Sequence, residues 1–373
     1  MVEILVGDIF ESGAQTLVNT VNCVGVMGKG VALQFKERFQ AMFKDYQARC
    51  RHGEVRLGKP YLYTSLVHPW VLNFPTKDHW RSVTKLDDIV RGLEYVVKHY
   101  KQWGITSLAV PPLGCGEGRL DWRIVGPTLY RYLSQLDIPV RMYAPFGTKP
   151  EELRTEFLQG RVSLTPEASR AMRPRRVNVA WLVVMEILHR IEQEPYHWPV
   201  GRTIFQKIVF VASNEGVPID LRYKKSSYGP FAPELKMHYT RLVNHGLIKE
   251  VKRGRMFQVT LGPTFHDLRD RHRAELIPYE SLMEKVVDLF LRMDTSQAEL
   301  AASVIYAAKA LLTEKSEKPS ENDVLRFIMD WKKRRRPALD EAEVAWSIRN
   351  LTALRWLPVR FSKDLPISAK HAA

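Results

Sequence analysis

Two glycine-rich turns, each linking a β-branched run to an amphipathic one, constrain this chain more than any other feature. The first, Asn22-Cys23-Val24-Gly25-Val26-Met27-Gly28-Lys29-Gly30-Val31-Ala32, follows the run Thr16–Val21. The second, Pro111-Pro112-Leu113-Gly114-Cys115-Gly116-Glu117-Gly118-Arg119-Leu120-Asp121-Trp122, follows Ser107–Val110. Turns of this kind aim unhindered backbone N–H groups and a helix N-terminus at an anion. The first is not a P-loop, because Gly25 lies too close to Gly28-Lys29 and Gly30 stands where Ser or Thr is required. One such turn can be purely structural. Two at the ends of separate strands can grip both phosphates of a diphosphate.

The surrounding pattern fits that placement. Strands are expected at Val2–Val6, Thr16–Val21, Pro60–Leu66, Trp70–Phe74, Ser107–Val110 and Val140–Tyr143. Helical spacing runs from Gly30 to Arg38, through Leu86, Ile89, Leu93, Val97 and Tyr100, and again after Trp122, with Thr84 as a cap and Gly104 as a stop. Strands alternating with helices imply a three-layer α/β fold around a central sheet. Ligands in such folds bind at the carboxyl ends of the strands, where both loops fall.

At 373 residues the chain exceeds one ordinary core. We expect a first domain over 1–157, a linker over 158–176 with the basic stretch Arg170–Arg176, a helix-rich module over 177–265 and a helical module over 266–373. Long helices are expected at Val179–Ile191, Thr203–Ala212, Ala232–His245, Leu276–Arg292, Gln297–Leu312 and Asn322–Trp331, interrupted by a ribbon Ile248–Val251 and Phe257–Leu261. No apolar run reaches the length of a membrane span, and the first residues read as a strand rather than a signal peptide. Three cysteines without a CxxC pair point to a reducing, cytoplasmic setting, and with no HExxH neither a metal nor a cofactor is called for. The net charge is +15, of which +4 falls on residues 1–160 and +11 on the rest, which suits a polyanionic partner.

The opening Gly7-Asp8-Ile9, the run from Asn19 through Asn22 to Ala32 and Pro-Pro-Leu-Gly-Cys-Gly together resemble a macrodomain over residues 1 to ~155. The likeness is greatest to the branch that holds the terminal ADP-ribose glycohydrolase and the bacterial DNA ADP-ribosyl glycohydrolase antitoxin DarG. The resemblance implies a mixed central sheet and ADP-ribose as ligand. It implies that Asp8, with Ile9 nearby, accepts from the adenine amino group, and that Asn22 touches the distal ribose. It gives Asn19, Gly28, Gly30, Val31, Leu113, Gly114, Cys115, Gly116 and Gly118 to the binding site, the glycines lining the diphosphate.

The branch places a catalytic lysine just after a central strand, and Phe74-Pro75-Thr76-Lys77 supplies Lys77. An amine beside an anomeric carbon can attack it, or can stabilise departing charge, when its site is partly desolvated. One departure stands out. The terminal glycohydrolase carries an Asp two residues after Gly-Cys-Gly, and here that position is Gly118. Either Lys77 acts with water and Asn22, or Glu117, Asp121 or Asp78 replaces the missing acid. Arg81, Lys85 and Arg119 are candidates for touching a polyanionic strand.

The C-terminal part reads as a winged-helix-like module, and its Tyr228-Gly229-Pro230-Phe231 turn is similar to one in antitoxin-type domains. Two readings compete for it. As a DNA binder it would set Ala232–His245 in a groove and Lys252, Arg253 and Arg255 on phosphates. As a protein binder it would cap the cognate toxin DarT, an ADP-ribosyltransferase acting on thymine in single-stranded DNA. The run Lys332–Arg336 reads as a solvated helix end. The expectation is an antitoxin that hydrolyses ADP-ribose from single-stranded DNA and sequesters the transferase. A non-catalytic ADP-ribose reader and a DNA-binding regulator that senses ADP-ribose remain alternatives.

Overall fold

The computed structural model describes residues 1–160, 178–254, 256–314 and 317–368. They group into two compact units, the first formed by residues 1–160 with Lys236–Asn244, the second by the remainder. The basic stretch Arg170–Arg176, most of the expected linker and Arg255 lie outside the described residues.

The first unit is built on six strands: β1 (Val2–Leu5), β2 (Thr16–Asn22), β3 (Tyr61–Tyr63), β4 (Trp70–Lys77), β5 (Leu108–Val110) and β6 (Val140–Tyr143). Their order across the sheet is β1-β6-β5-β2-β4-β3. All pairings are parallel except β3 with β4, so the sheet is mixed, as expected. Helices α1 (Gly30–Arg38) and α2 (Gln40–Arg51) cover one face, packing Phe35, Met42 and Tyr46 against Leu17, Val21 and Val71. Helices α3 (Leu86–His99) and α4 (Trp122–Leu133) cover the other, packing Ile89, Leu93, Val125 and Leu129 against Val18, Leu72 and Val110. Central strands with both faces covered need apolar side chains on both, and β2 alternates Leu17 and Val21 against Val18 for that reason.

Gly92 sets how closely α3 approaches the sheet. A Cβ there would lie 2.3 Å from Cζ of Phe74, so only glycine allows that ring to sit against the helix backbone. The short helix α5 (Thr155–Leu158) ends the first stretch, with Phe157 and Leu158 in the α3–α4 core.

The second unit is mainly helical. Its helices include α6 (Val179–Gln193), α7 (Arg202–Asn214), Glu280–Phe290, Thr295–Glu314, Glu321–Lys332 and Glu341–Ala353. Two antiparallel ribbons accompany them, Lys224–Ser226 with Gly229–Phe231 and Ile248–Arg253 with Met256–Leu261. The first ribbon and the last helix carry no pattern strong enough to be expected from sequence. The winged-helix grouping is not upheld as one compact body: its middle helix, α8 (Leu235–Asn244), contributes Lys236–Asn244 to the first unit. The run Lys332–Arg336 is likewise not a uniformly solvated end. Lys332 is buried with Nζ donating to the Ser227 carbonyl, and Arg335 lies 3.8 Å from Glu299. No described helix is long and apolar enough to cross a membrane.

Candidate active site

The site is assembled at the carboxyl ends of β2, β4 and β5. The β2–β4 register shifts between Val21 and Asn22, which sets Asn22 beside Lys77, the last residue of β4. β4 runs three residues beyond the expected Phe74, because Pro75 is accommodated in the ladder. Lys77 is half-buried and its Nζ donates to the carbonyl of Glu117, 3.2 Å away in the second loop. One contact thus joins the end of β4 to the loop after β5.

Asn22 organises the first loop. Its Oδ1 accepts from the N–H groups of Val24 (3.0 Å) and Val26 (3.4 Å) and from the Tyr46 hydroxyl (3.0 Å), while Nδ2 donates to the Val26 carbonyl. Tyr46 also bonds the Asn22 carbonyl at 2.7 Å, and burial pushes its hydroxyl pKa well up. A side chain with this many partners fixes the loop backbone, so Asn22 shapes the first cradle from within. Beyond it, Gly28 and Gly30 are exposed and Val31 is half-buried. Helix α1 starts without a side-chain cap, Lys29 making no such bond. Its first N–H groups are therefore available to an anion.

The second loop is tighter. Gly116 is open, with nothing within 4 Å of where a Cβ would stand. Gly118 is the reverse: a Cβ would lie 2.3 Å from the Gly114 carbonyl oxygen and 2.6 Å from Thr84 Oγ1. The missing second-loop Asp has a steric cause, since this backbone admits no side chain at that position. The substitutes differ in their freedom. Asp121 caps α4 by accepting from Arg123 N–H at 3.1 Å and is paired with Arg241. Asp78 accepts from the His79 N–H at 2.7 Å. Glu117 is exposed, with Lys236 Nζ 3.7 Å from its carboxylate.

Other expected residues fall on either side of the surface. Asp8 is exposed, its Oδ1 accepting from Phe10 N–H at 3.0 Å and its Oδ2 3.8 Å from Arg38. Ile9 beneath it is core. Asn19 and Leu113 have no exposed surface. Asn19 donates to Asn73 Oδ1 at 3.0 Å in the interior, and Leu113 packs in the α3–α4 core, so both support the site from below. Cys115 packs against the same core, and burial pushes its thiol up to about 12; Cys23 is raised likewise, also to about 12. Neither is a nucleophile at neutral pH. No cluster of metal-ligating side chains occurs among the described residues.

The structure brings forward four residues that the sequence did not single out for the site. Tyr46 and Thr84 are buried supports, legible only from contacts. Phe146, 82% exposed, follows β6, the neighbour of the strand that leads to Asp8, and offers a free ring face. Asn244 bonds the start of α3, where Thr84 was expected to cap; Lys85 holds the cap position and makes no side-chain capping bond.

Residues 18–129, which hold both glycine-rich turns, match the Macro domain family. The chain is similar to the DNA ADP-ribosyl transferase-DNA ADP-ribosyl glycohydrolase fusion protein of Thermosipho africanus, 44% identical over 41% of this chain and 44% of that protein. It is similar to the DNA ADP-ribosyl glycohydrolase of Mycobacterium tuberculosis, 36% identical over 62% of this chain and 64% of that one. To the protein of that name from Thermus aquaticus it is 29% identical over 83% of each chain. Residues 18–129 belong to the Macro domain family, and the chain is similar to these DNA ADP-ribosyl glycohydrolases over the shares given. It spans under half of the Thermosipho relative and under two thirds of the mycobacterial one.

Proposed function

We propose that the first unit removes ADP-ribose from thymine bases of single-stranded DNA. The observation that carries this reading is the Lys77 ammonium on the Glu117 carbonyl, which brings a cation at the end of β4 to the second glycine-rich loop. With the diphosphate on Gly28, Gly30, Gly114 and Gly116, the distal ribose reaches toward Lys77 and Asn22. Asp8 and Phe146 receive the adenine, one by a hydrogen bond and one by its ring face. In the reaction the bond between the anomeric carbon and the base breaks. Water supplies the hydroxyl to that carbon and the proton to the base, and Lys77 stabilises the charge that develops as the bond opens. Lys77 acts without the second-loop Asp, for which Gly118 leaves no room.

The second unit is the region we assign to neutralising the cognate DarT transferase. The Thermosipho relative, by name a fusion of transferase and glycohydrolase, supports a functional pairing of the two activities. The test is direct: incubate the full chain with an ADP-ribosylated oligonucleotide and follow free ADP-ribose. Wild-type protein that binds the oligonucleotide and releases nothing would be a reader, and the glycohydrolase reading would fall.

A further inference from the structure

The segment Lys236–Asn244 belongs to the first unit although most of that unit's sequence lies far before it. Its polar side chains meet the surroundings of the second loop at three places. Asn244 Oδ1 accepts from Leu86 N–H at 2.8 Å, and its Nδ2 donates to the Thr84 carbonyl at 3.0 Å. Arg241 Nη2 donates to Asp121 Oδ2 at 3.2 Å, while the other Asp121 oxygen caps α4. Lys236 Nζ lies 3.7 Å from Glu117. That last pair is more than half exposed on both sides and contributes little.

The Asn244 contact answers a local need. Helix α3 begins with no side-chain cap of its own, and open N–H groups at a helix start are costly unless bonded. Asn244 supplies the acceptor from 158 residues away and, with the other end of the same amide, fixes Thr84. The Thr84 side chain is fully buried against the second loop: its Oγ1 is 2.6 Å from where a Gly118 Cβ would stand and its Cγ2 is 3.0 Å from that of Gly114. That loop carries the Glu117 carbonyl, and the carbonyl holds Lys77. Direct contacts therefore run from Asn244 through Thr84 and the Gly114–Gly118 turn to the ammonium.

We propose that Asn244 and Arg241 are positioning residues for the reaction: by fixing the starts of α3 and α4 they hold the second loop, and through it Lys77, in register. The inference rests on the glycohydrolase reading and names a part of the machinery outside the Macro match at 18–129. The experiment compares full-length wild type with Asn244→Ala, Asn244→Asp and Arg241→Ala. It measures steady-state release from an ADP-ribosylated oligonucleotide, affinity for free ADP-ribose by calorimetry, and melting temperature. Aspartate keeps an acceptor for Leu86 N–H and loses the donor to Thr84. Asn244→Ala is expected to lower kcat about tenfold with KM little changed, the scale of one lost hydrogen-bonded clamp. Asn244→Asp is expected to recover the melting temperature without recovering kcat. Wild-type turnover in both alanine variants, or joint recovery of melting temperature and kcat in Asn244→Asp, overturns the proposal. If wild type itself releases nothing, the glycohydrolase reading fails instead. The bracing is then judged on melting temperature, where Asn244→Ala and Arg241→Ala values equal to wild type overturn it.

Discussion

At the scale of single residues the site rests on Lys77 and Gly118, which act in opposite ways. Lys77 contributes charge at the end of a buried strand, so Lys77→Ala should leave the cradles intact. We expect ADP-ribose affinity within about threefold of wild type and release slowed about 100-fold or more, the range of a lost catalytic group. Single-turnover assays beside calorimetry separate the two. Gly118 contributes space. Because a Cβ there meets backbone at 2.3 Å, Gly118→Ala is expected to cost about 1–3 kcal/mol in chemical denaturation. Gly118→Asp is expected to weaken ADP-ribose binding rather than add a second catalytic group; faster release in Gly118→Asp would show that the loop yields. The two glycine-rich turns were legible in the sequence because strand, turn and helix onset are local patterns, whereas Lys77 and Asn22 were singled out through the macrodomain resemblance. The supporting roles of Asn22, Tyr46 and Thr84 were not legible. That Asn22 also braces its loop shows only in its four side-chain hydrogen bonds within the molecule.

At the scale of elements, the strands and the helices with strong periodicity were readable, and those held by distant partners were not. Helix α1 matches its expected span Gly30–Arg38, and β6 matches Val140–Tyr143. Helix α2 buries only Met42 and Tyr46, too sparse a stripe to show a period. Residue spacing misplaced the α3 cap because Asn244 is far away in sequence. The same limit hid a charged cluster in the second unit. Helix α7 buries Lys207, whose Nζ donates to the Pro230 carbonyl at 3.0 Å, beside Glu299 of the helix Thr295–Glu314. Burial lowers the Lys207 pKa to about 8 and that of Lys332 likewise to about 8. A lysine whose folded pKa is depressed binds fewer protons than the unfolded chain between pH 8 and 10.5, so its contribution to stability rises with pH across that window. The fall from 10.5 to about 8 corresponds to about 3 kcal/mol. In Lys207→Met that dependence is absent. The stability of wild type relative to Lys207→Met should therefore improve by a few kcal/mol from pH 7 to 10.5 in paired urea titrations. A flat difference would mean that Lys207 is not desolvated in solution.

At the scale of the whole molecule, the charge asymmetry separates ligand from substrate. Residues 1–160 carry +4 and the rest +11, so the macrodomain itself is only mildly basic. Free ADP-ribose needs little beyond the cradles, whereas a modified strand adds a phosphate at every nucleotide. The cations that the sequence offers to such a strand are Arg81, stacked 4.5 Å over the Trp80 ring, Lys85 at the start of α3, and Arg119, held at φ 60° in the second loop. If all three meet phosphates, counterion release gives a slope of about −2 in log affinity against log salt for single strands. Affinity for an ADP-ribosylated oligonucleotide is therefore expected to fall steeply between 50 and 200 mM salt, roughly 20-fold by that slope. Binding of free ADP-ribose should change far less. Replacing Arg81, Lys85 and Arg119 together by alanine should flatten the oligonucleotide slope toward zero and leave the ADP-ribose curve in place. An unchanged slope would move the strand's path off this face of the macrodomain and onto the more basic remainder of the chain. Calorimetry at three salt concentrations decides between them.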